Sequence, residues 1–357
     1  MREDVVDALK KCAEALQYGN PRLANAEMGR VLFLAEEETE TATRILIEYF
    51  AQALACRACG LHPKYFSFPS PGWKYWMYYW HGLFLTVGQF ISTVVKGKCK
   101  VHVIELVKHM DGYEQWESII SELDYWGDLT HLRLSLLVQE KVEFSKERVE
   151  ELIRRAEFRC IKLEYKIIAV NSFADIDVSL LEMRDGEFVV VNCMFVFSKM
   201  LSEALALEKL LQRVRDVMRV DVMIVVEHDA NHNQSDFLLR FDESLRYYSS
   251  LFQDCWSGHD RMAEPYYRYQ IGNIVACEGS NRVERHQTWA QWKSLLIDSG
   301  FSIFNSFIKW ENDENEEWME DGILSILGGK AEKRSVIFVS AWKILTSPAK
   351  SSGSNEG

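Results

Sequence analysis

The sequence predicts an α/β protein in which a mostly parallel sheet is preceded by an N-terminal α-helical cap. Three observations support this fold class. Apolar residues recur at helical spacing through the first 60 positions. From residue 99 onward, short apolar runs alternate with amphipathic stretches of helical length, as βαβ crossovers require. Near the C-terminus, two apolar runs flank the turn GGKAEKR, which is typical of an antiparallel hairpin.

The composition is that of a globular protein. The chain has 357 residues, of which 48% are hydrophobic and 26% are charged, enough for one large domain or two ordinary ones. We expect a helical cap at 1–98, an α/β core at 99–346 and a disordered tail at 347–357.

The charge balance disfavours unaided binding to DNA. The 41 basic and 53 acidic residues give a net charge of −12, and an acidic surface repels phosphate. The densest basic stretch is Lys96, Lys98, Lys100 and Lys108. A local basic groove would still be compatible with the net charge, so direct DNA binding stays open as an alternative.

Cysteine usage and hydropathy indicate a reducing compartment. The 8 cysteines show no framework spacing, and the first residues, MREDVVDALK, are charged rather than apolar. No window of about 18 apolar residues suggests a membrane span. We therefore expect a chain of the cytosol or nucleus that does not contact a membrane.

Three helices are predicted in the cap. Val5, Leu9 and Leu16 recur on one helical face. Asn20 suits an N-cap and Pro21 the first position of the second helix. A third helix follows the acidic turn EEETET.

The α/β core is predicted to contain five strands separated by helices. The strands are apolar runs of suitable length for a buried parallel sheet. They are Cys99–Leu106, His131–Val138, Cys160–Ala169, Phe188–Phe195 and Asp221–Glu227. The helices are Tyr113–Leu123, one that Ser145 caps, Leu201–Met218 and Phe237–Phe252.

The C-terminal part follows a different pattern. Thr288 and Gln291 have capping-box spacing, and Gly300 suits the end of the helix they begin. A strand is predicted at Phe301–Ile308, and Ile323–Leu327 with Ser335–Leu345 form the hairpin. Parallel strands followed by antiparallel strands at the C-terminus are typical of Rossmann-like, methyltransferase-like folds.

The motifs of common enzymes are missing. A methyltransferase needs a glycine-rich turn after the first strand, but ELVKHMDGYEQW contains only Gly112. The chain has neither a G-x-S-x-G elbow nor a G-x-x-x-x-G-K-[ST] loop. We therefore predict no catalytic residue and no cofactor. An S-adenosylmethionine-dependent small-molecule methyltransferase remains the enzymatic alternative, because the fold class is the same.

Two groups of residues could bind a metal. Cys56, Cys59 and His62 resemble half of a zinc site, but a second ligand pair is lacking and packed helical cysteines are favoured. The segment Glu227–His232 follows the fifth strand, where α/β enzymes place catalytic groups. Its residue types also form turns and helix caps, which is the favoured interpretation. We predict no metal.

Two further motifs have alternative interpretations. Leu207, Leu210 and Leu211 form an LxxLL string, which either docks in a partner's groove or is the apolar face of a core helix. Arg282 and Arg285 alternate with acidic residues, and form either a structural salt-bridge network or a partner-facing patch.

The chain contains the motifs VHVIE, EFVVVNCMF, VVEHDANHN, RVER and SAW. Together they resemble the GRAS family of plant transcriptional regulators. VHVIE is similar to the family's VHIID block, EFVVVNCMF to its PFYRE block and VVEHDANHN to its VEQEANHN. The resemblance covers nearly the whole chain, and the C-terminal half is most similar to the DELLA branch, without the N-terminal DELLA segment. The matching residues are Val101, His102, Val103, Ile104, Glu105, Asn192, Asn231, His232, Asn233, Arg282, Glu284, Arg285, Ser340, Ala341 and Trp342.

The resemblance implies a nuclear, non-enzymatic scaffold for DNA-bound transcription factors. It implies other transcription factors as partners, homo- or heteroassociation with another GRAS chain, and indirect contact with DNA. The candidate partner-binding residues are Leu9 and Leu16, in the part that resembles the first leucine-rich region, and Leu207, Leu210 and Leu211. A direct, sequence-specific DNA-binding factor is a further alternative.

Overall fold

The computed structural model describes most of the cap and of the α/β core. The described residues are 1–61, 84, 87–107, 116, 119–120, 128–139, 146–255, 264–304, 323–329 and 334–345.

The cap begins with three helices, as predicted. They are α1 (Glu3–Gln17), α2 (Pro21–Glu36) and α3 (Thr41–Ala58). The side chain of Asn20 accepts a hydrogen bond from the backbone N–H of Leu23 at 3.1 Å, which satisfies one free donor at the start of α2.

The first five strands form the predicted parallel sheet. Their order in space is β3-β2-β1-β4-β5, so the strand order reverses direction between β1 and β4. The strands are β1 (Lys100–Val107), β2 (His131–Val138), β3 (Lys162–Ala169), β4 (Phe188–Met194) and β5 (Val222–His228). Helices α4 (Lys146–Phe158), α5 (Phe197–Met200) and α6 (Ala206–Asp216) lie between them in the chain.

The last three strands complete the sheet in antiparallel fashion. The remaining elements are α7 (Phe237–Cys255), α8 (Glu264–Ala276), α9 (Trp289–Asp298), β6 (Phe301–Ile303), β7 (Ile323–Gly329) and β8 (Arg334–Ile344). β8 pairs with β5 on one side and with β6 and β7 on the other. The predicted antiparallel hairpin is confirmed as β7 and β8.

Two predicted boundaries shift because of left-handed backbone. The fourth strand ends at Met194, since Phe195 has φ 53°, and α6 begins only at Ala206, since Leu205 has φ 59°. Such φ values interrupt both ladders and helices. Of the predicted strand Phe301–Ile308, the described part is a strand through Ile303 only, and residues 305–308 lie outside the described residues.

The sheet has an apolar layer on each face. One layer joins the cap to the sheet, since Leu9, Phe50 and Val103 belong to the same buried cluster. The opposite face packs on α6 and α9 through side chains such as Leu210 and Trp292. The cap therefore does not have a core of its own but shares one with the sheet.

Candidate functional site

The first two family-like blocks contact each other inside the sheet. Glu105 on β1 and Asn192 on β4 are register neighbours, and both side chains are buried. The Asn192 side-chain amide donates to a Glu105 carboxylate oxygen at 2.7 Å. A buried carboxylate needs such donors, so this pair has a structural role at the junction of β1 and β4.

His102 has a structural role as well. Arg133 donates to Nδ1 of His102 at 2.8 Å, so that Nδ1 accepts and Nε2–H donates to the Ser135 hydroxyl, also at 2.8 Å. Burial and the neighbouring Arg133 charge lower the pKa of His102 to about 3. The imidazole is therefore neutral at physiological pH, and its contacts connect β1 to β2.

The segment after β5 is paired with the segment that contains RVER. The backbone N–H of His232 donates to the carbonyl of His286 at 2.9 Å, and that of Ala230 to Gln287 at 3.3 Å. Asp229 accepts from the backbone N–H of Trp289 at 2.9 Å and so helps to cap α9. The structure therefore agrees with the turn and helix-cap interpretation.

Three histidines in this region form a buried polar network. His286 Nε2 donates to Glu284 at 3.1 Å, since an ionised carboxylate only accepts, and His286 Nδ1 lies 3.0 Å from Nδ1 of His232. The two ring nitrogens of His228 contact the hydroxyls of Tyr247 and Tyr266.

The charges of this network are held away from solvent. Burial would raise the pKa of Glu284, but Lys199 and His286 outweigh it and lower the pKa to about 2. Burial and the neighbouring His286 lower the pKa of His228 well below its usual value. Among the described residues, no group of three or more His, Cys, Asp or Glu side chains is arranged to hold a metal ion.

Glu227 is a second buried acid at the end of β5. One carboxylate oxygen accepts from the backbone N–H of Ser198 at 3.1 Å. Burial raises the pKa of Glu227 to about 7, against the lowering effect of the bonds to Ser198. The group lies on the opposite face of the sheet from His228, beneath α5.

Arg282 and Arg285 bind oxygens other than carboxylates, which corrects the expected salt-bridge network. Arg282 donates to the carbonyl of His232 at 2.7 Å. Arg285 donates to Oδ1 of Asn233 at 3.2 Å and to the carbonyl of Gly279 at 2.7 Å.

The SAW segment lies inside the sheet. Ser340, Ala341 and Trp342 are in β8, between β5 and the pair β6 and β7, and all three are buried. The indole N–H of Trp342 donates to the Ser340 hydroxyl at 2.9 Å, and its ring lies 5.8 Å from that of Trp289. Trp342 is therefore a core residue.

Four of the five candidate partner-binding leucines are buried. Leu9 is buried between the cap and the sheet, and Leu16 is half-buried. The LxxLL leucines pack on the sheet, because α6 turns its apolar face inward. The buried members of this string are Leu207, Leu210 and Leu211. Of the two interpretations of the LxxLL string, core packing is the one that the structure supports.

The sequence did not single out the apolar face that is exposed. On α2, Leu32 and Phe33 are 50% and 59% exposed, and Leu23 is also exposed. Ala26 and Gly29 are exposed too and share the side of Phe33, with Leu23 and Leu32 at the two edges of this exposed half of the helix. We call these five residues the outer face of α2.

Of the three residues that resemble half of a zinc site, the structure describes the two cysteines. Cys56 is buried, and burial raises the pKa of its thiol, whereas Cys59 is exposed. His62 lies outside the described residues.

None of the described helices combines the length and apolar character that a bilayer-spanning helix needs.

Comparison with known proteins links this structure to one family. A model of the GRAS domain family matches residues 79–313. The chain is 36% identical over 327 residues to the DELLA protein GAI1 of Vitis vinifera, covering 84% of this chain and 53% of that one. It is 33% identical over 383 residues to the DELLA protein GAI of Arabidopsis thaliana, covering 96% and 68%.

The chain thus spans about half the length of the grape relative. A solved structure of SCL7 from Oryza sativa shows the same fold, with a TM-score of 0.74 at 21% identity. The match covers 96% of this chain and all of the rice chain.

Proposed function

This chain belongs to the GRAS domain family, and on that basis we propose that it is a transcriptional regulator acting through protein–protein contacts. In this proposal it acts in the nucleus as a scaffold for DNA-bound transcription factors. Its contact with DNA is indirect, which agrees with a net charge of −12.

The outer face of α2 is the observation that supports this proposal most. Leu32 and Phe33 are adjacent large apolar side chains that are at least half exposed. With Leu23, ten residues earlier, they extend over roughly 15 Å of helix. Large apolar side chains that are exposed on one half of a helix are typical of partner contacts.

The rest of the molecule supports α2 as a rigid platform. α2 turns Val31 and Leu34 inward, and both are buried in the core shared by the cap and the sheet. A partner that binds the outer face therefore meets a preformed surface, which reduces the entropy lost on binding. A transcription factor, or another GRAS chain, would contribute a complementary apolar surface.

A tethered reporter assay tests this proposal. The full chain is fused to a heterologous DNA-binding domain, and reporter output is measured in plant cells. We expect the wild-type chain to change the output, and a double variant Leu32→Asp with Phe33→Asp to remove at least four-fifths of that change. The charged groups would disfavour an apolar interface without entering the core.

Phe158→Asp is the matched control. Phe158 is 90% exposed on α4, away from α2, so the same chemical change should leave the output intact. A wild-type chain without effect, or equal losses in both variants, would contradict the proposal. Equal melting temperatures show that all three chains are folded.

A further inference from the structure

Four arginines meet at the C-terminal end of α8, around one carboxylate. Nη1 of Arg57 and Nη2 of Arg240 both donate to the same oxygen of Glu278, at 2.9 and 2.5 Å. Arg285 donates to the carbonyl of the next residue, Gly279, at 2.7 Å. The arginine cluster comprises Arg57, Arg240, Arg282 and Arg285.

The cluster carries more positive charge than the described structure balances. Within the described residues, Glu278 is the one carboxylate that forms ion pairs with any of its members. Burial and the charges of Arg240 and Arg285 lower the pKa of Arg282 to about 10. Positive charge is therefore concentrated here in a chain of net charge −12.

Helix capping explains only part of this arrangement. Arg57 donates to the carbonyl of Val275 at 3.1 Å and Arg240 to that of Ile274 at 3.0 Å, which satisfies the last turn of α8. One guanidinium nitrogen, Nε of Arg282, is buried and has no hydrogen-bond acceptor among the described residues. Capping of α8 therefore accounts neither for the positive charge of the cluster nor for the buried N–H donor of Arg282.

A groove beside the cluster is lined by one of its members, Arg57. Its volume is about 510 Å³, and it lies between the cap and the end of α8. Its lining is partly polar, with Arg57, Glu278 and Asn281, and partly apolar, with Leu16 and Ala58. This size and mixed lining are typical of specific binding sites.

Glu278 covers the cluster on the solvent side. Its side chain is 47% exposed, whereas those of Arg57 and Arg240 are 17% and 0% exposed. A carboxylate from another molecule could replace Glu278 on Arg57 with the same geometry. Glu278 would keep its bond to Arg240, whose buried guanidinium needs a carboxylate partner.

We propose that this groove binds an acidic peptide segment of a partner protein. A partner carboxylate pairs with Arg57, and apolar side chains next to it pack on Leu16 and Ala58. The inference rests on the proposed function, since it specifies the chemistry of one partner. An acidic peptide is favoured over nucleic acid because the groove is short and partly apolar, whereas a nucleic-acid backbone needs an extended basic surface.

Fluorescence anisotropy with the full chain tests the inference. The probe is a fluorescein-labelled peptide of eight residues that alternates Asp and Leu, and the control peptide has Asn in place of Asp. We expect the acidic probe to bind at least tenfold more tightly than the control. Arg57→Gln should weaken its binding at least tenfold, because it removes the charge that lines the groove.

Arg44→Gln is the matched control for that variant. Arg44 is exposed on the same helix, 13 positions and thus about 20 Å from Arg57, so its loss should leave the affinity unchanged. Equal affinities of the two variants would overturn the inference.

Glu278→Gln separates ligand binding from a purely structural role. It frees Arg57 and Arg240 from their internal carboxylate, so we expect the acidic probe to bind at least threefold more tightly. A variant that only loosened the structure would bind more weakly, and that result would contradict the inference. A DNA duplex that binds in place of the peptide, with the same dependence on Arg57, would assign the groove to nucleic acid instead and overturn it.

The reporter assay distinguishes failure of this inference from failure of the proposed function. If the probe does not bind but the reporter still depends on Leu32 and Phe33, the groove inference is wrong and the proposed function stands. If the probe binds and the reporter does not respond, the proposed function is wrong and the groove is a binding site of another role.

Discussion

Glu227 makes the free energy of unfolding larger at low pH than at high pH, which is opposite to the trend in acid denaturation. The pKa of this buried acid is raised from 4.5 to about 7 in the folded chain. Between these values the unfolded chain has lost a proton that the folded chain keeps, so the free energy of unfolding falls as pH rises. The fall amounts to about 3 kcal/mol for a shift of this size.

Glu227→Gln should remove this fall. Gln retains an oxygen that can accept from Ser198 but does not ionise. We expect the variant to match the wild type near pH 4 and to exceed it in unfolding free energy by up to about 3 kcal/mol at pH 8. Urea denaturation at both pH values measures the difference. A difference that does not change with pH would contradict the assigned pKa.

Trp342 tests the role of the SAW segment. Its side chain is fully buried and hydrogen-bonded to Ser340. Trp342→Ala should lower the free energy of unfolding by roughly 3–5 kcal/mol, through the cavity it leaves. Trp342→Phe, which keeps an aromatic ring, should cost less. Chemical denaturation measures these losses. An unchanged denaturation midpoint for the Ala variant would show that the indole lies outside the core.

The role of a side chain could be predicted from the sequence only where its hydrogen-bond partner lies nearby in the chain. The cap that Asn20 provides for α2 is formed within three residues and was predicted. The bond between Arg57 and Glu278 joins residues 221 positions apart. Nothing near either residue in the sequence indicates that contact, so the arginine cluster appears only in the folded chain.

Among the helices, α6 shows how one pattern fits two interpretations. An LxxLL string is an apolar helical face, and the pattern alone does not say whether a partner or the chain's own sheet covers it. Here the sheet covers it, with Leu210 fully buried. The position of α6, between two adjacent parallel strands β4 and β5, requires this, because a crossover helix packs back on its sheet.

Leu210→Ala should therefore act on stability. We expect a loss of roughly 2–5 kcal/mol in the free energy of unfolding, as for other buried leucines. Lys209→Ala, at an exposed position of the same helix, should change it by less than about 0.5 kcal/mol. Similar unfolding curves for the two variants would show that Leu210 is not packed as described.

The regular strands and helices were predicted better than the places where the alternation of strands and helices is interrupted. The alternation of apolar runs and helical stretches correctly indicated the parallel strands and the terminal hairpin. The α8 helix was not predicted, because it packs against both α3 and α7 and so lacks a single apolar face. β4 ends early because the backbone of Phe195 is left-handed. Residues other than glycine rarely adopt this conformation, and nothing in the sequence indicates it here.

At the scale of the whole molecule, side chains fill part of the carboxyl edge of the sheet. At the carboxyl ends of β4 and β5, the described side chains are packed and buried. They include Phe195, Phe197, His228, Tyr247 and Tyr266. This packing agrees with the proposed role as a scaffold.

We accordingly expect no binding of S-adenosylmethionine. Isothermal titration calorimetry of the full chain with this compound, up to millimolar concentration, should show only the heat of dilution. One-to-one binding in the micromolar range would favour the methyltransferase alternative.

Quantitative affinity purification from plant nuclei tests the central claim most directly. The wild-type chain, the double variant at Leu32 and Phe33, and the Phe158→Asp control are compared by mass spectrometry. We predict that transcription factors are enriched with the wild type and the control, and fall at least fivefold with the double variant. An equal set of transcription factors on all three chains would contradict the account.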